Sequence, residues 1–94
     1  MTSKQRAMLR SMANTMEPIL HIGKEGITSG TVQLADEALE ARELFKGTVL
    51  ETCPLTAREA LARLCEETGA EPVQAIGRRF VLYRPSRENP RIVL

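Results

Sequence analysis

The chain is poor in the residues that usually advertise a chemistry. It has no tryptophan, one tyrosine and two phenylalanines in 94 residues. Phe45, Phe80 and Tyr83 are too few for a platform on which single-stranded bases stack. There are two cysteines, Cys53 and Cys65, and one histidine, His21. No C-x-x-C pair occurs, and cysteine and histidine together cannot supply the four ligands of a structural zinc site. Two reduced cysteines are expected, with Cys65 in a helix core, and no metal or other cofactor is implied. No side chain that could act as a base or nucleophile has a visible partner, so no catalytic residue is assigned and the chain reads as a non-enzyme. No apolar run approaches the length of a membrane span, and the N-terminus is polar and then amphipathic rather than signal-like. A cytoplasmic, monomeric, single-domain protein with one small core and no membrane partner is the expectation.

Net charge is also nearly absent, but its distribution is not even. The formal charge is +1. Residues 1–35 carry +2, residues 36–71 carry −5 and residues 72–94 carry +4. A molecule with one basic and one acidic surface follows, and its arginine-rich ends favour phosphate recognition.

What is present centres on Leu20-His21-Ile22-Gly23-Lys24-Glu25-Gly26-Ile27-Thr28. An apolar strand-like run ends at a glycine, a second glycine follows after two residues, and a helix start comes next. Glycines let backbone approach a ligand closely. A helix start offers unpaired N–H groups and the positive end of a dipole, and Lys24 adds a full charge, so the segment suits a phosphate. The spacing equally suits a tight strand-to-helix turn. It is neither the nucleotide-binding P-loop nor the dinucleotide fingerprint. Glu25, inside the loop, partly cancels Lys24.

The remaining pattern predicts helix, strand, helix, strand, helix, strand, strand. Thr2 and Gln5 form a capping box ahead of an amphipathic helix whose stripe is Met8, Leu9, Met12, Ala13 and Met16, read as core, with Arg6 and Arg10 on a flank. Pro18 blocks its continuation. Thr28 caps a second helix, with Ile27 and Val32 as a staple. Asp36, Glu37, Glu40 and Glu43 form its acidic, solvated outer side. Leu44 to Glu51 reads as a strand in which Gly47 marks a bulge. Thr56 and Glu59 box the start of a third helix, and Gly69 stops it. Pro72 to Ile76 and Arg79 to Arg84 are strands joined by a Gly77-Arg78 turn. Phe80 and Leu82 point one way and Val81 and Tyr83 the other, which places that strand centrally. After Pro85 the chain reads as a polar tail, residues 86–94, set apart from a domain at 1–85, and docking of Ile92-Val93-Leu94 is left open. Strand–helix–strand units favour parallel pairing, and the closing hairpin must be antiparallel. The class is α+β: a two-layer arrangement of a four-stranded mixed sheet packed on helices.

Four stretches carry a family resemblance: Ser3 to Ser11, Pro18 to Thr28, Ala38 to Leu44 and Ile76 to Arg84, including Ile22-Gly23-Lys24-Glu25-Gly26-Ile27-Thr28 and Ile76-Gly77-Arg78-Arg79-Phe80. In this order and spacing they resemble the CRM domain, for chloroplast RNA splicing and ribosome maturation, whose free-standing bacterial form is the YhbY type. The resemblance implies a fold similar to the C-terminal domain of translation initiation factor three with an added N-terminal helix. It implies RNA as partner, in particular ribosomal RNA and precursor (pre-50S) particles of the large ribosomal subunit. The family's G-x-x-G loop falls on Gly23, Lys24, Glu25 and Gly26, with Thr28 at the helix cap beyond it. Its basic surface falls on Lys4, Arg6, Arg10, Arg78, Arg79 and Arg84. With aromatics scarce, recognition is expected to lean on phosphates and RNA shape. The alternative reading is a protein-interaction module whose acidic helix side docks a basic partner.

Overall fold

Three threonines start the three helices. In the computed structural model, which describes residues 1–94, α1 spans Ser3–Ala13, α2 Ser29–Arg42 and α3 Ala57–Thr68. Thr2 accepts from the Gln5 N–H while the Gln5 side chain accepts from the Thr2 N–H. Thr28 with Thr31, and Thr56 with Glu59, repeat the arrangement. Each cap satisfies helix-start donors that would otherwise be orphaned, worth roughly 1 kcal/mol. Gly69, at φ 75°, ends α3 in the left-handed conformation that glycine adopts without a Cβ penalty.

The strands are β1 (Pro18–Ile22), β2 (Leu44–Val49), β3 (Glu71–Ile76) and β4 (Arg79–Tyr83), in the sheet order β1-β2-β4-β3. β1 and β2 are parallel, and β4 runs antiparallel to both β2 and β3. β4 is central and apolar on both faces, as its alternation predicts. Phe80 and Leu82 join Leu20, Ile22, Phe45, Leu39 and Leu64 in the larger core, under α2 and α3. Val81 and Tyr83 join Leu9, Ala13, Leu44 and Val73 in a smaller core under α1. The α+β class and the mixed sheet are as expected, with a partial third layer: α1 lies alone on the second face. Eleven residues cover only part of a four-stranded sheet.

Two local expectations are corrected. Gly47 marks no bulge in its own strand; the β2–β4 register is regular from Leu44 to Thr48, and the irregularities lie between Pro18 and Leu20 and between Pro72 and Gln74. Gly47 instead leaves room for its cross-strand partner Phe80, whose ring would stand 2.4 Å from a Cβ at position 47. Of the methionine stripe, Met8 and Met12 are exposed and only Leu9 and Ala13 are fully buried. One helix on a sheet buries a narrower stripe than its apolar residues offer.

Strand directions sort the connections. The β1–α2 loop, the β2–α3 loop, the β3–β4 turn and the N-termini of α2 and α3 gather at one end of the sheet. The C-terminal segment lies at the other end. It is folded against α2, not free. The Glu43 carboxylate accepts the N–H groups of Ser86, Arg91 and Ile92 at 2.8, 2.8 and 2.9 Å. Glu40 accepts from the Ser86 hydroxyl and from the N–H groups of Arg87 and Glu88. Ile92 packs against the smaller core.

Candidate functional site

The Gly23–Gly26 segment is a tight turn closed by the Gly26 N–H donating to the Gly23 carbonyl at 3.0 Å. Lys24 and Glu25 are its central residues and both are exposed. Gly26 has φ 67°, a region that favours glycine, and a Cβ there would touch Pro54 and Leu55 of the neighbouring loop. The turn delivers the chain directly to Thr28, so Ser29 and Gly30 present the free N–H groups of a helix start beside Lys24.

Backbone hydrogen bonds tie this turn to its neighbours. The Leu50 N–H donates to the Ile22 carbonyl at 2.8 Å, and the Val49 N–H donates to the Arg78 carbonyl at 2.8 Å. The Thr48 hydroxyl also donates to the Arg78 carbonyl, at 3.2 Å. Gly77, at φ 59°, forms the hairpin turn that holds Arg78 and Arg79 at this end. The structure therefore brings Gly23, Lys24, Glu25, Gly26, Thr28, Arg78 and Arg79 to one end of the sheet.

Lys4, Arg6 and Arg10 lie on α1, which has no acidic residue. Arg6 donates to the Pro72 carbonyl at 3.4 Å and lines a cleft with Gln74 and Ala75, farther along β3. Lys4 and Met8, on the other flank, border Leu94 at the opposite end, so Lys4 stands apart from the loop-end cations. Arg6 thus reaches over the β3 edge of the sheet, where Arg58, Leu61 and Ala62 of α3 line the same cleft.

The part of the sheet that α1 leaves uncovered holds Arg79, assigned from the sequence, together with residues the sequence did not single out. His21 pairs with Thr48, Thr48 with Arg79 and Arg79 with Ile76, so these four form one cross-strand row on the α1 side. His21, Arg79 and Ile76 are exposed and Thr48 is half-buried. Lys46 lies one step below on β2 and is half-buried. None of the five is acidic. The usable signal was the alternation of His21 with Leu20 and Ile22, and of Lys46 and Thr48 with Phe45 and Val49. Polar residues at alternate positions of a strand need a face that no helix covers.

Arg84 does not belong with the exposed cations, and its assignment there is corrected. It is buried, donating to Asp36 at 2.7 Å and to the Thr68 carbonyl at 2.9 Å. A guanidinium leaves water at low cost only when paired. Here its two terminal nitrogens find partners in Asp36 and the Thr68 carbonyl, while its Nε is buried without one. The acidic side of α2 is likewise not the solvated surface expected. Asp36 is paired with Arg84, Glu40 is half-buried under the C-terminal segment, and Glu43 is fully buried. Glu37 alone of the four is exposed. The surface that the alternative reading offered to a basic partner is occupied by the chain's own residues 84–92.

Proton affinities follow this packing. The Arg87 N–H and the Ser86 hydroxyl lead in holding the Glu40 carboxyl at about 2. Burial pushes Glu43 up, but the N–H groups of Ser86, Ile92 and Arg91 outweigh it and the net shift is downward. Burial, helped by Glu71, pushes the Cys65 thiol up to about 11, so it is protonated and a poor nucleophile at neutral pH. Both cysteines are free.

Comparison with known proteins gives a consistent set. The model of the CRS1 / YhbY (CRM) domain matches residues 1–84. The chain is 39% identical over 94 residues to the "Probable RNA-binding protein YqeI" of Bacillus subtilis, covering 100% of this chain and 98% of that one. It is 34% identical over 88 residues to an "RNA-binding protein" of Haemophilus influenzae, covering 94% of this chain and 89% of the relative. The solution structure of the hypothetical protein SAV1595 from Staphylococcus aureus superimposes with a TM-score of 0.82 at 42% identity, covering 100% of this chain and 98% of that one.

Proposed function

The chain belongs to the CRS1/YhbY (CRM) domain family, and from that premise we propose that it binds structured RNA through the Gly23–Gly26 turn and the basic α1 side of the sheet, in the service of large-subunit ribosome assembly. The observation that carries the RNA reading is the grouping of cations. Lys24, Arg78 and Arg79 are exposed at the loop end, half-buried Lys46 lies on the sheet face beside them, and α1 on that face adds Lys4 and the half-buried Arg6 and Arg10. Asp36, Glu37, Glu40, Glu66 and Glu67 lie on helices of the other face, and Glu25 and Glu51 are the exposed acids at the loop end. Binding here requires no net positive charge, only separation of the two signs. The three aromatic side chains are buried, so affinity rests mainly on phosphates. The ribosomal assignment is drawn from the family resemblance. Crosslinking in cells tests it, with large-subunit ribosomal RNA as the expected product and transfer or messenger RNA alone as the result that refutes it.

Salt titration tests the interface. Neutralising about three to five phosphates gives a log–log slope of roughly −2 to −4. Lys24→Ala is expected to weaken binding to every structured RNA and to reduce the slope by about one, with an unchanged melting temperature because Lys24 stands at an exposed loop tip. An unchanged slope would remove the turn from the interface.

Glu25 gives a finer test. Its carboxylate lies just ahead of a helix N-terminus, which favours it in the free protein, and beside the position an incoming phosphate would take. Glu25→Gln is expected to tighten RNA binding by up to roughly 1 kcal/mol, with the gain shrinking as salt rises. Weaker binding of the variant at both low and high salt would mean that Glu25 itself contacts the RNA favourably.

A further inference from the structure

We propose that the row His21–Thr48–Arg79–Ile76 receives an unpaired nucleotide, so that the preferred ligand is an RNA helix interrupted by a bulge or junction. This rests on the RNA-binding reading above and names the kind of RNA it serves. The row crosses all four strands, a span of roughly 14 Å at ordinary strand spacing, and α1 leaves it open. Ile76, at the β3 end of the row beside Arg79, is 66% exposed, an apolar side chain next to a cation. A fully paired A-form helix shows a protein its phosphates, riboses and groove edges, but no base faces. An apolar group and two planar groups in a row have nothing to meet on such a helix. They do match the faces of a base that has left the stack.

The planar groups are His21 and Arg79. With Phe45, Phe80 and Tyr83 all in the two cores, the imidazole and the guanidinium are the only flat side chains in the row, and both kinds stack on bases. Around them stand Lys46 on the sheet and Lys24 and Arg78 at the loop end, placed for the phosphates on either side of an extruded nucleotide. The surface is also held ready. The Thr48 hydroxyl donates to the Arg78 carbonyl, which fixes the hairpin turn against β2 and leaves the hydroxyl oxygen able to accept a hydrogen bond from a base or a ribose. No strand residue in the row or beside it carries a negative charge to repel the ligand.

The experiment compares two hairpin RNAs with the same stem, one fully paired and one carrying a two-nucleotide bulge. Binding is measured by fluorescence anisotropy at one salt concentration with the wild-type chain, His21→Ala, His21→Phe, Ile76→Ser and Lys24→Ala. The wild type is expected to favour the bulged RNA about tenfold, the scale of one stacked base. His21→Ala and Ile76→Ser should each remove most of that preference, weakening the bulged RNA several-fold more than the paired stem. His21→Phe should keep the preference, because stacking needs a plane and not a charge. Lys24→Ala should weaken both RNAs by the same factor. Equal binding of the two RNAs by the wild type overturns the proposal and leaves the RNA-binding reading intact. Equal loss on both RNAs in His21→Ala also overturns it, since the row would then be ordinary contact surface. No binding of either RNA by the wild type would refute the RNA-binding reading itself.

Discussion

Glu43→Ala is expected to lower the free energy of unfolding by about 2–4 kcal/mol and to release the C-terminal segment. Three backbone N–H groups converge on this fully buried carboxylate. Each hydrogen bond to a charged acceptor contributes roughly 1.5–3 kcal/mol, and water can replace only part of that set once the segment lifts. The backbone makes the prediction sharper. Glu43 is the only non-glycine residue with positive φ, at 66°, a strain of about 1–3 kcal/mol for a residue with a Cβ. Glu43→Gly removes the same carboxylate but relieves the strain, so it should be the milder variant by roughly 1 kcal/mol. Urea unfolding measures both, and hydrogen exchange at Ser86, Arg91 and Ile92 reports the segment directly. A Glu43→Ala variant as stable as wild type would show that the segment contributes nothing to the fold.

The same carboxylates set an acid limit. The folded-state values of Glu40 and Glu43 are both lowered. The unfolded chain therefore takes up protons first as pH falls. The stability these groups contribute is fully present above the ordinary carboxylate value of 4.5 and is lost as pH falls from there toward about 2, the Glu40 value. Exchange protection in the C-terminal segment should fall through this window before the sheet opens.

Gly47→Ala is expected to destabilise the domain by about 1–3 kcal/mol and Gly47→Val by more. A Cβ at this position meets Phe80 carbons at 2.4, 2.7 and 3.0 Å. Phe80 is fully buried in the larger core, so its ring cannot swing away without displacing other side chains. Pairing Gly47→Ala with Phe80→Leu should cost less than the two single losses added together, because the smaller side chain makes room for the methyl group. Strictly additive losses in that double-mutant cycle would show that the ring moves aside freely.

These two positions also show where reading a sequence stops. Local signals were legible: Thr2, Thr28 and Thr56 with their partners three residues on, Gly69 at a helix stop, and the double-faced alternation of Phe80, Val81, Leu82 and Tyr83. All are set within a few residues by sterics and nearby hydrogen bonds. The misread residues depend on distant partners. Arg84 closes a basic-looking run, yet its partner Asp36 is 48 positions away. Glu43 looked like one more acid on a helix surface, and nothing nearby in sequence shows that residues 86–92 return to it. Gly47 reads as a weak point in a strand until Phe80 lies opposite. At the candidate site the glycine turn and Lys24 were visible as a motif. His21, Lys46 and Thr48 were not, because they matter only once α1 has been laid across the sheet and found too short to cover it.

The sheet order has a consequence for how the chain is born. β4 is the last strand synthesised and the only one that joins β2 to β3. Until it emerges, β2 has an open edge and α3 has half a surface to pack on, so a nascent chain ending before Arg79 holds only the parallel β1–β2 pair and two unfinished cores. Long-range pairing of this kind is slow to nucleate. Completion of both cores therefore waits on β4. The residues that follow β4, which Glu40 and Glu43 hold against α2, leave the synthetic machinery after it and dock on a sheet whose strands are all already present.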